Sequence, residues 1–510
     1  MNADVVVVGG GPVGLLTAAL LHSAGIPVRV FERNTGPTEY SKAITMQPRT
    51  LETFASVRSE GGKRLVDLVL PLGRQVPRTH FATLPNLLEL GGFETAYPFV
   101  LFIPQADTER VLARHLAAQG VPVEYGREVT SFGQDAERVV VTVGEETVET
   151  RYLVGADGAH STVRKAAGIG FPGTEPTAAG FVGDVELTAP PEHDFHLWSH
   201  ETGSVSIIRT PSGHRLFGME PGDAGLTAQE VRARRDRPLG TEELRATLVR
   251  IAGTDFGLRS SSWLSRSTDS TRHADRYRAG RVFLAGDAAH VHLPAGGQGL
   301  NVGFQDAANL SWKLAAELHG WAPSLIVDGP ASYQAERLPI AEKLGENTLA
   351  QSAIMTTFTP AGAALRAMTA ELIARVPGLS AELAGWVSGL KVRYAVAADA
   401  HPLDGLPAPD LVLDGENLLH RLEIGRYLLA DFTPDGRLAA LASPRVAVAR
   451  AERRPGVSAA LIRPDGYVAR AWPEPDVADI SATVDEWAGT PARTSDRPST
   501  GTSAPMRSSQ

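Results

Sequence analysis

The chain has 510 residues, and its 49 Lys and Arg residues against 58 Asp and Glu residues give a formal net charge of −9. Its 43% hydrophobic and 21% charged residues exclude disorder of the whole chain, and its length predicts about three domains. The mildly acidic charge argues against a nucleic-acid partner, and the absence of Cys excludes disulfides, thiolate catalysis and zinc–thiolate sites.

The first apolar segment, from Val5 to Leu21, lacks the features of a signal peptide or a membrane helix. Gly and Pro residues interrupt it, and the only charge before it is Asp4 rather than Lys or Arg. No other run approaches the roughly 20 apolar residues that a spanning helix needs. We therefore expect no membrane partner and, since the chain forms no disulfides, a cytoplasmic location.

A strand, a Gly-rich turn and a helix are predicted at the beginning of the chain. Val5–Val8 is a wholly apolar, β-branched run, which is typical of a buried parallel strand, and Pro27–Phe31 predicts the next strand. The turn between them contains the three glycines of a GxGxxG motif: Gly9, Gly11 and Gly14. Such a turn lets a diphosphate approach the positive N-terminus of the following helix.

Glu32 ends the second predicted strand, 18 residues after the last glycine of the motif. An acidic residue at this distance accepts hydrogen bonds from a ribose and disfavours a 2′-phosphate. The βαβ unit therefore predicts FAD or NAD as the bound nucleotide, and not NADP.

Two further motifs follow predicted strands. The strand over Leu153–Asp157 ends in an Asp-Gly pair, and the strand over Arg281–Ala285 is followed by a Gly-Asp pair. A Gly-rich stretch at 296–299 then precedes a helix predicted over Val302–Glu317. Because the carboxyl ends of parallel strands meet at one edge of a sheet, we expect the motifs to border one ligand site.

With these three motifs, the sequence resembles the class A flavoprotein monooxygenases of the para-hydroxybenzoate hydroxylase type. The resemblance covers roughly residues 1–345, and it implies non-covalent FAD with NAD(P)H and O2 as co-substrates. Only one complete GxGxxG occurs, so the sequence has no second fingerprint for a resident nicotinamide nucleotide. We therefore expect NAD(P)H to dock transiently at the flavin.

The resemblance also implies roles for individual residues. The contacts to the diphosphate, ribose and adenine would come from Gly9, Gly11, Gly14, Glu32 and Arg33. The remaining cofactor contacts would come from Lys42, Gln105, Asp157, Gly158, Asp287, Gly299, Leu300 and Asn301. Lys42 departs from many relatives, which have Arg there and thus a bidentate fork for phosphate. No acid or base is identified and no metal is expected, and the candidates for shaping the space above the flavin are His292, Pro294 and Gln298.

Residues 176–271, between the second and third motifs, are expected to form a β-sheet substrate domain. Phe181–Leu187 and Ser204–Thr210 alternate as the strands of a half-buried sheet do. The FAD-binding domain is then discontinuous, with parts at 1–175 and 272–345.

A helical segment and linker are predicted over 346–400, where Leu, Ala and Met recur at helical spacing. Residues 401–490 resemble the thioredoxin-like C-terminal domain of bacterial aromatic polyketide hydroxylases, although without Cys they cannot perform dithiol chemistry. Residues 491–510 are rich in Ser, Thr, Pro and Arg and are expected to be disordered. The predicted fold class is thus α/β, with a Rossmann-like FAD-binding domain, a β-sheet substrate domain and a thioredoxin-like domain.

The family resemblance implies hydroxylation of a polycyclic, phenolic, polyketide-like substrate through a flavin C4a-hydroperoxide. Baeyer–Villiger oxygen insertion and hydroxylative inactivation of an aromatic antibiotic stay open as alternatives, as does a flavin-binding reductase or scaffold. Flavin halogenases are excluded, because none of the seven Trp residues begins their WxWxIP signature. The sequence leaves open NADPH against NADH and a monomer against a homodimer.

Overall fold

The structure, a computed structural model, describes residues 3–489, so the tail predicted at 491–510 lies outside the described residues. The strands are β1 Val5–Val8, β2 Val28–Glu32, β3 Thr45–Met46, β4 Arg74–Val76, β5 Arg78–Thr79, β6 Leu88–Glu89, β7 Val100–Phe102, β8 Val123–Tyr125, β9 Val129–Gln134, β10 Val139–Val143, β11 Glu146–Thr150, β12 Tyr152–Gly155, β13 Ala179–Leu187, β14 Phe195–His200, β15 Gly203–Thr210, β16 Gly213–Met219, β17 Leu258–Thr268, β18 Arg272–His273, β19 Arg278–Ala279, β20 Val282–Leu284, β21 His290–Val291, β22 Val412–Leu413, β23 Glu416–Asn417, β24 Tyr427–Asp431, β25 Val446–Arg450, β26 Ala459–Ile462 and β27 Val468–Trp472. The helices are α1 Pro12–Ser23, α2 Pro48–Ser56, α3 Leu65–Val69, α4 Gln105–Ala118, α5 Thr162–Ala166, α6 Ala228–Arg235, α7 Thr241–Ala252, α8 Gln298–Leu318, α9 Ser324–Val327, α10 Tyr333–Thr356, α11 Pro360–Arg375, α12 Pro377–Ser388, α13 Leu418–Arg421 and α14 Val477–Ala488.

The fold is mixed α/β, and its largest sheet has the strand order β19-β20-β12-β1-β2-β8. Strand β1 pairs in parallel with β2 and β12, and β12 pairs in parallel with β20. Helix α1 begins at Pro12, whose fixed φ suits the first turn, and it packs against α4 and α8. The loops after β1, β12 and β20 therefore meet at one edge of the sheet, which brings the three predicted motifs together.

Helix α8 begins at Gln298 rather than at the predicted Val302. The residue before it, Gly297, adopts a φ of 64°, and this left-handed conformation turns the chain directly into the helix. The Gly-rich stretch is therefore shorter than its sequence indicates, and its last residues lie in the first turn of α8.

A second, antiparallel sheet has the order β14-β15-β16-β13-β17. Its outer face packs against α7, where Val205 and Leu216 join the cluster that contains Leu248. Its inner face presents Ser206 and Phe217 to a cavity. Successive residues of a strand point to opposite faces, so each strand contributes both to the core and to the cavity wall. Helices α6 and α7, between β16 and β17, are absent from the sequence-based prediction.

The C-terminal part contains a four-stranded sheet in the order β25-β24-β26-β27. Strands β24 and β25 are parallel, whereas β26 pairs antiparallel with both β24 and β27. Ile480 and Val484 of α14 pack with Trp472 in the core of this sheet. Helix α10 precedes this part and is continuous from Tyr333 to Thr356, so the predicted boundary at 345 falls inside a helix.

A buried cluster of charges joins the C-terminal sheet to α8 and α10. Arg463 donates two hydrogen bonds to Glu336, at 2.6 and 2.9 Å, and two to Asp465, at 3.0 and 2.6 Å. Lys313 Nζ lies 2.6 Å from Glu336, and Trp312 Nε1 donates to Asp465 at 3.1 Å. Burial alone would raise the pKa of Glu336, but the charges of Arg463 and Lys313 outweigh it and hold that pKa at about 2. Each of these charges is therefore paired, as buried ions must be.

Candidate functional site

A cavity of about 1310 Å³ lies between the carboxyl edge of the six-stranded sheet and the inner face of the five-stranded sheet. The Gly-containing loops after β1, β12 and β20 form one wall, and strands β13, β15, β16 and β17 contribute to the other. The sequence motifs and the predicted substrate domain thus face each other across a single space.

The turn after β1 combines tight packing with one open side. A Cβ on Gly9 would lie 2.3 Å from the carbonyl oxygen of Ala156, and one on Gly14 would lie 2.1 Å from that of Gly9. By contrast, a Cβ on Gly11 would meet nothing within 4 Å, and Gly11 lines the cavity. Gly9 and Gly14 therefore allow the strand and helix to pack closely, whereas Gly11 leaves the N-terminus of α1 open to an anion.

The carboxylate of Glu32 is fixed by backbone groups at the end of β2. Its Oε2 accepts from Gly10 N at 2.7 Å, and its Oε1 accepts from Asn34 N at 2.8 Å. Glu32 and the neighbouring Arg33 both line the cavity. Their positions fit the predicted contacts to a ribose and an adenine, which stay predictions.

Asp287, in the loop after β20, is exposed and lines the cavity. Because protein atoms surround the cavity at this point, desolvation raises the pKa of Asp287, and the nearby His290 and Lys42 offset part of that rise. His290 is held by Asp306, whose Oδ2 lies 2.8 Å from the Nε2 of the imidazole. The cavity therefore carries the carboxylate of Asp287 close to His290 and Lys42.

Six buried polar atoms of cavity-lining residues have no hydrogen-bond partner within residues 3–489: Gln47 Oε1, Arg74 Nε, Asp157 Oδ1, Ser267 Oγ, His290 Nδ1 and His292 Nε2. Buried polar atoms nearly always have partners, so a polar ligand in the cavity would complete these sites. Together with the open side of Gly11 and the charge of Lys42, these atoms suit a ligand with a diphosphate and a polar ring system. The residues present therefore fit FAD.

Most of the predicted cofactor residues line this one cavity, namely Gly9, Gly11, Glu32, Arg33, Lys42, Gln105, Asp157, Gly158, Asp287, Gly299 and Leu300. Gly14 and Asn301 do not line it. Gly14 serves packing, as described above, and the Asn301 side chain is buried, where its Oδ1 accepts from Gln47 N at 2.8 Å. A backbone contact of Asn301 with the flavin stays a prediction.

Of the candidates for the space above the flavin, His292 and Pro294 line the cavity and Gln298 does not. The side chain of Gln298 is buried in the first turn of α8, and its Nε2 donates to Ala295 O at 3.2 Å. The expectation that Gln298 shapes this space is therefore corrected, and the cause is the early beginning of α8. His292 is held by its Nδ1, which lies 2.7 Å from Leu293 O, and burial lowers its pKa to about 4.

The cavity wall formed by the five-stranded sheet and the segment after β5 is aromatic. Phe217 and Trp263 of the five-stranded sheet line it, and the ring of His80 stacks on Phe195 with 5.5 Å between centroids. Burial lowers the pKa of His80 to about 4, so the imidazole is neutral near pH 7. The arginines of this wall all pair with carboxylates: Arg74 with Asp194, Arg78 with Glu89, Arg215 with Asp184, and Arg266 with Glu243.

Arg215 also connects the two walls. Besides its bonds to Asp184 at 2.6 and 2.8 Å, it donates to the carbonyl oxygens of Ser41 and Lys42. The five-stranded sheet thus holds the loop that carries Lys42. Sequence analysis did not single out Arg215, because residues this far apart in the chain carry no local signal of their contact.

Glu109 also lines the cavity and was not predicted. It lies one helical turn after Gln105 on α4, and Gln105 Nε2 donates to its Oε1 at 2.7 Å. Residues four apart share a helix face, so this spacing was the signal that could have identified it. Within the described residues, no cluster of His, Asp or Glu forms a metal site, and no helix is long and apolar enough to cross a bilayer.

Comparison with known proteins gives two family matches: an FAD binding domain over residues 2–348 and an aromatic-ring hydroxylase C-terminal domain over residues 401–491. An uncharacterized aromatic compound monooxygenase of Bacillus subtilis (strain 168) is 40% identical, with 92% of this chain and 94% of that protein covered. A 12-dehydrotetracycline 5-monooxygenase/anhydrotetracycline 6-monooxygenase of Streptomyces rimosus is 38% identical, with 96% and 100% covered. The solved structure of an anhydrotetracycline hydroxylase from Streptomyces rimosus superposes with a TM-score of 0.84 at 37% identity, with 96% and 100% covered.

Proposed function

The chain belongs to the family of FAD-dependent aromatic-ring monooxygenases, and from this membership we propose that it hydroxylates a polycyclic, phenolic substrate of the polyketide type. It is a flavoprotein that uses FAD, NAD(P)H and O2. The observation that carries the proposal is the single cavity in which Gly-rich cofactor loops face an aromatic wall whose arginines are all paired.

The cavity chemistry supports an uncharged aromatic substrate. Aromatic side chains bind flat rings by stacking, and Phe217, Trp263 and the His80–Phe195 pair offer such surfaces. A substrate carboxylate would require an unpaired cation; Arg215 and Arg266 are held by acidic partners at 2.6 and 2.7 Å, and only the exposed Arg78, 3.8 Å from Glu89, is loosely paired. A polycyclic phenol therefore suits the wall better than a small aromatic acid.

FAD supplies the redox chemistry when bound, with NAD(P)H as the electron donor and O2 as the oxidant. The protein binds and orients the cofactor and the substrate. We assign the diphosphate to Gly11 and the N-terminus of α1, the ribose to Glu32, and the ribityl chain to Asp287. Lys42 then neutralises part of the diphosphate charge, and Gly299 leaves room for the ring beside His292, whose Nε2 would lie 3.1 Å from a Cβ there.

No side chain is assigned as a general acid or base. His80, which stacks on Phe195, and His292, which also lines the cavity, have pKa values of about 4 because both are buried. Neutral imidazoles accept or donate hydrogen bonds at neutral pH, but they lack the second ring proton that would make them imidazolium acids. The hydroxyl group of a phenolic substrate activates its own ring, so the site can function by orientation.

We propose a substrate domain at 176–271 and a discontinuous FAD-binding domain at 1–175 and from 272 into helix α10, inside which the sequence-based limit of 345 falls. For residues 401–490 we propose a thioredoxin-like domain, supported by the strand order, in which the first two strands are parallel and the last two antiparallel. A cytoplasmic location is likewise proposed, and cell fractionation would test it.

The function is tested by incubating the purified protein with NADPH or NADH, 18O2 and a panel of polycyclic phenols. One 18O atom on an intact ring system supports hydroxylation, and one in a lactone supports the Baeyer–Villiger alternative. Nicotinamide oxidation without 18O in any product contradicts the proposal. Ser206→Trp, which fills the cavity from β15, should abolish ring hydroxylation, whereas Ser260→Trp, at an exposed position of the same sheet, should not.

A further inference from the structure

Glu109 lies in the cofactor side of the cavity with one carboxyl oxygen held and the other free. The residue is 6% exposed and lines the cavity, and its Oε1 accepts from Gln105 Nε2 at 2.7 Å. Gln105 is itself fixed, because its Oε1 accepts from Ala43 N at 3.1 Å. Within residues 3–489, no group hydrogen-bonds Glu109 Oε2. The side chain is thus oriented by the protein and has one oxygen available to a ligand.

Charged and titratable groups near Glu109 lie on β2, on the loop before β3 and on β8. Glu32 of β2 opposes its ionisation, Lys42 in the loop before β3 favours it, and Tyr125 of β8 is itself affected by both carboxyls. Burial is the largest influence and raises the pKa of Glu109 to about 7, while the hydrogen bond from Gln105 partly offsets this rise. The protein without cofactor therefore contains Glu109 as a mixture of neutral and ionised forms near pH 7.

We propose that Glu109 is a cofactor-binding residue that takes up a proton when FAD binds, so that the affinity for FAD falls as the pH rises. This inference rests on the proposed function, since it requires FAD in this cavity. A bound diphosphate brings negative charge into the cavity that Glu109 and Glu32 both line, where Glu32 already opposes the ionisation of Glu109 and Lys42 favours it. A neutral carboxyl donates a hydrogen bond from Oε2, whereas a carboxylate repels the ligand.

The direction of the pH dependence follows from the difference between the protein with bound FAD and the protein without it. Bound FAD shifts the ionisation of Glu109 to higher pH than in the protein without cofactor, and binding is then coupled to proton uptake between those two pH values. Below the pH at which Glu109 ionises in the protein without cofactor, the affinity for FAD is constant. Above it, the dissociation constant rises by up to about tenfold per pH unit, which is the limit for one coupled proton.

The test measures FAD binding to the protein stripped of cofactor, followed by flavin fluorescence from about pH 6 to about pH 8.5. We expect the Kd of the wild-type protein to rise by about tenfold over the last unit of this range, and that of Glu109→Gln to change by less than about twofold. Glu128→Gln is the matched control, because Glu128 is an exposed carboxylate that lines the same cavity. It should follow the wild-type pH dependence.

Calorimetry in two buffers of different ionisation enthalpy directly counts the protons taken up when FAD binds. Wild-type protein should take up a proton near pH 7.5, and Glu109→Gln should take up none. A Glu109→Gln profile as steep as the wild-type profile, or wild-type binding without proton uptake, overturns the inference while leaving FAD in the cavity. Failure of the wild-type protein to bind FAD at any pH would instead overturn the proposed function.

Discussion

Replacing Arg463 with Met tests whether the buried charge cluster stabilises the docking of the C-terminal sheet onto α8 and α10. The variant keeps most of the side-chain volume but removes four hydrogen bonds, two to Glu336 and two to Asp465. Lys313 and Trp312 remain as the partners of those two carboxylates. The change therefore leaves two buried acids with one positive charge fewer.

The size of the effect follows from the pKa of Glu336, which falls from an ordinary value of 4.5 to about 2 in the folded protein. Each tenfold change in proton affinity is about 1.4 kcal/mol, so this carboxylate is stabilised by about 3 kcal/mol. Removing one partner of a buried ion pair typically costs about 3–5 kcal/mol. Because Lys313 retains part of the interaction, we expect Arg463→Met to lower the free energy of unfolding by about 3 kcal/mol.

Urea denaturation followed by tryptophan fluorescence measures this difference. Arg470→Met is the control, because Arg470 pairs with Asp479 at 3.1 Å while both side chains are more than 40% exposed, and such pairs contribute less than about 1 kcal/mol. The double variant Arg463→Met/Glu336→Gln should lose less than the sum of the single variants, since it removes both partners. Equal stability of Arg463→Met and Arg470→Met would refute the reasoning.

Further predictions concern the cofactor loops and acid stability. Gly14→Ala should lower the free energy of unfolding by about 2 kcal/mol or more, seen as a lower Tm, because its Cβ would lie 2.1 Å from Gly9 O. Gly11→Ala should keep the wild-type Tm, since its Cβ meets no atom within 4 Å, but weaken FAD binding about tenfold, and unchanged FAD binding would contradict the diphosphate assignment. Asp287→Ala should also weaken FAD binding about tenfold, measured as FAD retained through gel filtration, and full retention would remove Asp287 from the site. Glu336 has a lowered pKa, so its stabilisation is complete above about 4.5 and is lost as the pH falls toward about 2; Arg463→Met should show a smaller loss over that range.

The glycine motifs could be predicted because each lies in one short stretch of chain and follows a strand that its apolar residues already indicate. Their convergence needed only the rule that parallel strands end at one edge of a sheet. Gly9, Gly11 and Asp287 consequently line one cavity, as expected. Gly14 carries the same motif but serves packing, which a sequence pattern alone does not distinguish.

The remaining site residues depend on contacts between distant segments. His80 meets Phe195, and Arg215 meets the loop at Ser41 and Lys42, only after two sheets have packed together. No periodicity or spacing reports such contacts. The prediction for Gln298 failed for a local reason, because Gly297 begins α8 early and turns that side chain into the core.

The bonds from Arg215 to the loop at Ser41 and Lys42 limit how the enzyme's specificity can be rebuilt. A chimaera that receives its five-stranded sheet from a relative would inherit new aromatic residues together with a new support for the loop at Ser41 and Lys42. If the donor sheet lacks the Arg215–Asp184 pair, the loop loses its anchor even though every cofactor residue is unchanged. We therefore expect a graft of this sheet to retain FAD only when the Arg215–Asp184 pair is transferred or kept, which couples any change of the sheet to the support of the Lys42 loop.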